Sequence, residues 1–269
     1  MIRQEHGQPY SRAMGVAHWD DARKRGRQIG HLNATWTFLG EAAACVGVGV
    51  RRLELEPGGW STPAHEHGRE EEIFYVLAGR GLSWQDGETF EIGTGDCVLY
   101  RAARVAHTMH ALDSLDVLAF GPRVYDESVG FPRIGLSLVG GRAVDSVEGI
   151  VVGSVSTGLQ HVEVPPGKLA VPLHCHSLEE EIFVVLDGEG VLLLGDEETP
   201  VRPGHVVARP PATRVAHSFR AGDGGLTYLA YGTRERNDIC YYPRSNKISW
   251  RGVGMIGRVE TLDYWDGED

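Results

Sequence analysis

"STPAHEHGREEEIFYVLAG", Ser61 to Gly79, sets two histidines two residues apart, then three glutamates, then a run of strand-forming residues. "AVPLHCHSLEEEIFVVLDG", Ala170 to Gly188, repeats that order at an offset of 109 residues. Side chains alternate between faces along a strand, so residues i and i+2 project together. His65 and His67 therefore share a direction, as do His174 and His176, while Glu66 and Cys175 point away. The next strand opens at Glu72 or Glu181. Alternation places Glu72, Phe74 and Val76 on one face, and Ile73, Tyr75 and Leu77 on the other. Glu70, Glu71, Glu179 and Glu180 are expected to be solvated or to cap a turn.

The likeness extends beyond these stretches. "LELEPG" from Leu53 matches "VEVPPG" from Val162, and "RVAH" from Arg104 matches "RVAH" from Arg214. "LAFGPR" from Leu118 matches "LAYGTR" from Leu229, and the offset drifts from 109 to 111 along the way. A period near 110 residues is the size of a domain, not of a solenoid unit. The chain thus reads as two copies of one domain. Short runs of Val, Leu, Ile, Phe and Tyr alternate with Gly, Pro, Asp and Glu turns, which marks an all-β sandwich or barrel. Asp86-Gly87 and Gly195-Asp196 read as hairpin turns.

The expected organisation is an arm over residues 1–40, a first barrel over 41–125, a linker with extra strands over 126–150, a second barrel over 151–232, and a tail over 233–269 packing on the barrels. The tail has no evident counterpart in the first copy. Tyr241, Tyr242 and Trp250 are expected to anchor it rather than meet a ligand.

The composition narrows the function. With 26 Lys and Arg against 37 Asp and Glu, the formal net charge of the 269 residues is −11. Phosphate neutralisation needs a basic face, so nucleic acid is not the expected partner. No stretch approaches the ~20 apolar residues of a membrane span. Four scattered cysteines and no export signal point to the cytoplasm. Cys45 and Cys97 are expected as small buried hydrophobes.

His107 and His217 complete each set, 40 and 41 residues after the second histidine of the pair. Three neutral imidazoles and one carboxylate form a donor set for a divalent transition metal: Mn, Fe, Ni, Co or Zn. An octahedral ion held by four protein ligands keeps positions open for water, O₂ or substrate. A lone histidine in a strand-rich chain is more often a packing or surface residue. Here H-x-H-x₄-E and its later histidine occur twice, while the residues between, "GRE" and "SLE", have diverged. The candidate ligands are His65, His67, Glu72 and His107 in the first copy, and His174, His176, Glu181 and His217 in the second.

At these residues the chain resembles the cupin superfamily. Gly59, His65, His67, Glu72 and Gly79 fit its first motif, and Gly167, His174, His176, Glu181 and Gly188 fit with one extra residue. The second motif matches in part, through Gly95 and His107, and through Gly204, Pro210 and His217; Ala111 and Ala221 stand where the family has asparagine. The resemblance covers about residues 45–121 and 154–232. It implies a bicupin of two tandem jelly-roll barrels, each with one metal in its mouth. Cupins include dioxygenases, decarboxylases, isomerases and binding proteins, and the fold does not choose among them. The intact glutamates differ from three-histidine gentisate-type dioxygenases; quercetinase-like dioxygenases, with His₃Glu and an apolar cavity, are the nearest chemical analogue. A dioxygenase-type oxidation of a small organic molecule is the expected function, with an isomerase, a decarboxylase or a non-catalytic binding protein as alternatives.

Phe74, Val76 and Met109, and Phe183, Val185 and Phe219, are expected to face inward. Arg101 and Arg209 are matched between the copies and expected in salt bridges on the rim, though an arginine there could hold a substrate carboxylate. Sheet edges favour a homodimer. The ligand assignment predicts that joint His65→Ala and His174→Ala substitution strips the protein of metal by elemental analysis. Undiminished metal content would refute it.

Overall fold

The computed structural model describes residues 15–103, 105–124, 127–131, 136–139, 142–145, 157–263 and 266–267. Residues 1–14 of the expected arm, Arg104 of the "RVAH" match and part of the expected linker lie outside them.

Strand β1 (Val16–His18) comes first, followed by the hairpin β2 (Lys24–Ile29) and β3 (Leu32–Thr37) and one helical turn, α1 (Leu39–Ala42). The first copy then runs β4 (Val48–Leu55), β5 (Glu66–His67), β6 (Glu72–Gln85), β7 (Glu88–Gly93), β8 (Cys97–Tyr100), β9 (His107–Pro122), β10 (Ser128–Phe131), β11 (Leu136–Val139) and β12 (Arg142–Asp145). The second repeats it strand for strand: β13 (Thr157–Val164), β14 (Cys175–His176), β15 (Glu181–Leu194), β16 (Glu197–Val201), β17 (His205–Arg209), β18 (His217–Thr233), β19 (Ile239–Tyr242), β20 (Lys247–Trp250) and β21 (Met255–Arg258).

All strand pairs in these sheets are antiparallel. One large sheet of each copy runs β4-β9-β6-β7 or β13-β18-β15, with β8 and β16–β17 also paired to the long β6 or β15. The smaller sheet is β5-β10-β11-β12 in the first copy and β14-β19-β20-β21 in the second. The tail therefore does have a counterpart. β10 and β11 repeat as β19 and β20 at an offset of 111, and β12 as β21 at 113, and the sequence match was too faint to reveal it. The opening strands divide between the copies: β2 and β3 extend the first sheet beside β4, and β1 pairs with β17 of the second.

Local chemistry explains the long hairpins. Asp86 and Gly87 both take positive φ, as a tight two-residue hairpin turn requires, and Gly195 opens the equivalent turn at φ 58°. Register shifts interrupt β6 against β9 between Val76 and Gly81, and β15 against β18 between Val185 and Gly190. Such bulges bend a sheet toward closure. Gly79 and Gly188, which end the two opening motifs, sit inside them at φ 87° and 74°. A Cβ would strike the Ser114 carbonyl at the first and the Gly225 carbonyl at the second.

Alternation fills both faces. Phe74, Val76, Met109, Leu115 and Val117 form the interior of the first barrel. Phe183, Val185, Leu192, Phe219 and Tyr228 form that of the second. The opposite faces meet each other: Ile73, Leu118 and Phe120 pack with Ile182, Val184, Val206, Leu229 and Tyr231 in one shared core, closed by Leu39, Ala43 and Cys45. Each large side chain buried there contributes about 1.5–3 kcal/mol. Cys97 departs from its expected burial and is exposed. It lies on the outer face of β8, whose equivalent, Val206 on β17, is covered by the shared core.

The glutamates before β6 and β15 also differ from expectation. Glu71, Glu179 and Glu180 are buried, not solvated. Glu180 accepts the backbone N–H groups of Val46, at 2.7 Å, and Gly47, tying the second copy to the start of the first. Removing it would give up two hydrogen bonds at partly buried amides that water can reach in part, at about 0.5–1.5 kcal/mol each. Glu180→Ala is therefore expected to lower the denaturant midpoint clearly, and Glu180→Gln, which keeps one acceptor, to lower it less. An unchanged midpoint in both would contradict this role.

Candidate metal centres

Each candidate site is assembled where the short strand of the small sheet meets the long hairpin. His65 and His107 exchange backbone hydrogen bonds, N–H to O at 3.2 and 2.8 Å, and His174 and His217 do the same at 3.3 and 2.8 Å. Glu72 and Glu181 stand at the first positions of β6 and β15, so their carboxylates reach the same end of the barrel.

In the first copy, donor atoms of His65, His67, Glu72 and His107 all lie within 4.8 Å of one another. Glu72 Oε2 is 2.9 Å from His107 Nε2 and 3.3 Å from His67 Nε2. In the second copy, Glu181 Oε2 is 2.9 Å from His217 Nε2 and 3.4 Å from His176 Nε2. There the donors are more widely spread. His174, Glu181 and His217 form one close trio, and His174, His176 and Cys240 another. All eight residues chosen from the sequence are thus brought together, four in each copy.

The remaining ring nitrogens show which atoms are free to ligate. His65 Nδ1–H donates to the Pro63 carbonyl at 3.0 Å, His174 Nδ1–H to that of Pro172 at 2.9 Å, and His107 Nδ1–H to that of Val105 at 3.1 Å. With Nδ1 committed, the lone pair of each Nε2 faces the cluster. At His107 that lone pair then meets a Glu72 oxygen at 2.9 Å. Two acceptors so close need a proton or a cation between them. His176 Nε2, His217 Nε2 and Glu181 Oε2 are buried without a hydrogen-bond partner among the described residues. The donor set therefore suits a divalent metal.

Protonation supports the same reading. Burial, aided by His107, lowers His65 to about 4. Burial also lowers His217 to about 4, and it lowers His174. These imidazoles are neutral at pH 7 and can donate a lone pair. Burial opposes ionisation of Glu72 and Glu181, yet the close approach of His107 and His67 to the first, and of His176 and His217 to the second, holds both well below the usual carboxylate range. Two histidines are exceptions: burial opposes the charge of His67, but Glu72, Glu70 and Glu127 raise it, and His176 is raised further. Burial works against its charge, but Asp238 and Glu181 outweigh burial and raise it to about 10.

Asp238 was not anticipated. It is 1% exposed, accepts Nδ1–H of His176 at 2.7 Å, and also takes the Ser177 and Leu178 amides at 3.1 and 2.9 Å. Glu127 holds the equivalent place beside His67, at 3.8 Å and without a hydrogen bond. Tyr242, expected as an anchor only, stacks on His174 with ring centroids 5.9 Å apart. Phe131 lies over His65 in the same way, at 6.2 Å. The acid just before β10 and β19 and the ring that ends each strand were the available signal.

The two interiors differ. A cavity of about 450 Å³ opens over the first cluster, with Trp36, Phe74, Tyr100 and Met109 in its wall. Tyr100 stacks flat on His107 at 3.9 Å, and its hydroxyl bonds Ser83 Oγ at 2.8 Å. In the second barrel Phe183, Phe219 and Tyr228 pack against one another at 4.9 to 5.7 Å. The rim arginines also separate: Arg101 is exposed, while Arg209 is buried. Strand register matches Arg209 with Tyr100, not with Arg101, because Glu181 pairs with Arg209 as Glu72 pairs with Tyr100.

Comparison with known proteins agrees with this architecture. The cupin domain family matches residues 51–120 and again 160–230, and the chain belongs to that family. The uncharacterized protein MJ1618 of Methanocaldococcus jannaschii is 48% identical over 44 residues, which cover 16% of this chain and 35% of that protein. Among solved structures, Ylba from E. coli aligns over 87% of this chain and 98% of its own, at 14% identity and a TM-score of 0.60. Oxalate decarboxylase of Lactobacillus farciminis aligns over 81% of this chain and 86% of its own, at 15% identity and a TM-score of 0.57. At these identities the likeness is one of fold.

The Asp238 contact carries a prediction. A carboxylate behind a metal-bound histidine fixes its tautomer, and its loss costs about 10–100-fold in metal affinity. Asp238→Asn keeps the size but offers His176 an amide. It is expected to weaken the second site by that factor in chelator competition, with Glu127→Gln changing the first site less. Equal, unchanged affinities would contradict the contact's role.

Proposed function

We propose that the protein is a metal-dependent enzyme acting on a small organic molecule, and that the first barrel performs a dioxygenase-type oxidation. The carrying observation is the joining of four metal-suited donors to a cavity of about 450 Å³ walled in part by Trp36, Phe74, Tyr100 and Met109, within the ~300–1,000 Å³ usual for small-molecule sites. His65, His67, Glu72 and His107 would hold the divalent ion, which when bound supplies a Lewis-acid and redox centre. Trp36, Phe74 and Met109 would receive the apolar body of the substrate and exclude water from the reacting end. Tyr100 holds the plane of His107 by stacking. Burial pushes its phenol upward, so it stays a neutral hydrogen-bond donor to or acceptor from Ser83.

The second barrel supports a different chemistry. Its interior is filled by aromatic rings and carries the buried Arg209, which favours Lewis-acid work on a carboxylate or carbonyl over oxidation of a bulky ring.

An oxygen electrode with a panel of small phenolic and enolic compounds tests the reading. Substrate-dependent O₂ uptake is expected, lost in His65→Ala and kept in His174→Ala. Turnover that proceeds equally under argon would replace oxidation with isomerisation or decarboxylation.

A further inference from the structure

The second site holds a buried cation at the register position where the first has a tyrosine. Arg209 is 3% exposed and shares a face with Glu181, directly across the β15–β17 pair. Nη2 of Arg209 donates to the Val215 carbonyl at 2.6 Å, which fixes the guanidinium in place. Its Nε and Nη1 are buried and have no hydrogen-bond partner among the described residues. Unpaired donors of a buried cation are costly, and the usual remedy is an anion. Glu181 does not supply it, since its Oε2 is turned to His176 and His217. Burial lowers Arg209 to about 10, so the group is still charged at neutral pH. In the first site the same register position is Tyr100, whose hydroxyl is already spent on Ser83.

We propose that the second site binds a small carboxylate, received by the free donors of Arg209 beside the metal cluster, and that the first site does not. The ligand is small because Phe183, Phe219 and Tyr228 occupy the barrel interior. This rests on the metal reading above and adds the ligand class that distinguishes the two sites.

Formate is the probe, titrated calorimetrically into the full chain loaded with metal, with metal content measured on the same samples. The wild-type protein is expected to bind one formate per chain. Arg209→Met should retain its metal and bind formate about 10- to 100-fold more weakly, the effect of losing charge-assisted hydrogen bonds. Arg209→Lys, which keeps the charge with a different donor geometry, should fall between the two and serves if the methionine variant does not fold. In the wild type, formate should also shift the Nε–H resonance of one buried arginine. Full metal content with no formate binding, or with binding that ignores both substitutions, overturns the carboxylate site and leaves the metal reading standing. A wild-type chain that takes up no metal overturns both.

Discussion

At the mouth of each barrel a histidine Nε2 lies 2.9 Å from a carboxylate oxygen, His107 against Glu72 and His217 against Glu181. Where Nδ1–H already belongs to a carbonyl, as in His107, that approach brings two lone pairs together. It is tolerable only with positive charge between them. The other groups conform to this constraint. Backbone bridges hold His65 to His107 and His174 to His217, the Pro63 and Pro172 carbonyls orient the rings of His65 and His174, and burial keeps His65, His174 and His217 neutral. Burying a cluster of this kind without an ion would gain nothing in packing.

Two barrels built on one plan answer that constraint with different surroundings. Their outer faces have merged into a common core around Ile73, Phe120, Ile182 and Tyr231, and Glu180 ties the second copy to the amides of the first. Their inner faces have diverged. Met109 and Val117 leave room above the first cluster, whereas Phe219 and Tyr228 fill the equivalent space in the second. The exchange of Tyr100 for Arg209 changes the charge beside the histidines without disturbing the strand register.

Much of this was legible in the residues. Period-two alternation sorted Phe74 and Val76 from Ile73 and Tyr75, Asp86-Gly87 and Gly195-Asp196 marked the hairpins, and the repeated H-x-H-x₄-E spacing singled out six cluster residues, with the later histidine of each copy completing the eight. What escaped had physical reasons. Glu127 and Asp238 lie on loops leading to β10 and β19, where the copies share only an acid and a ring, so the correspondence of the small sheets was hidden. Outward positions on β8 and β17 look alike in sequence. Yet Cys97 faces solvent while Val206 is covered, because covering depends on the neighbouring barrel. Arg209 was matched to the wrong partner since a charged residue suggests a rim, and only cross-strand pairing places it opposite Glu181.

The most direct test is an anomalous-scattering map from crystals of the protein as purified, collected on both sides of the absorption edge of whichever transition metal elemental analysis finds. The account predicts a peak within coordination distance of His65, His67, Glu72 and His107, and one at the equivalent cluster of the second barrel. Flat density at both places, with the imidazoles turned apart or bridged by protons alone, would contradict it.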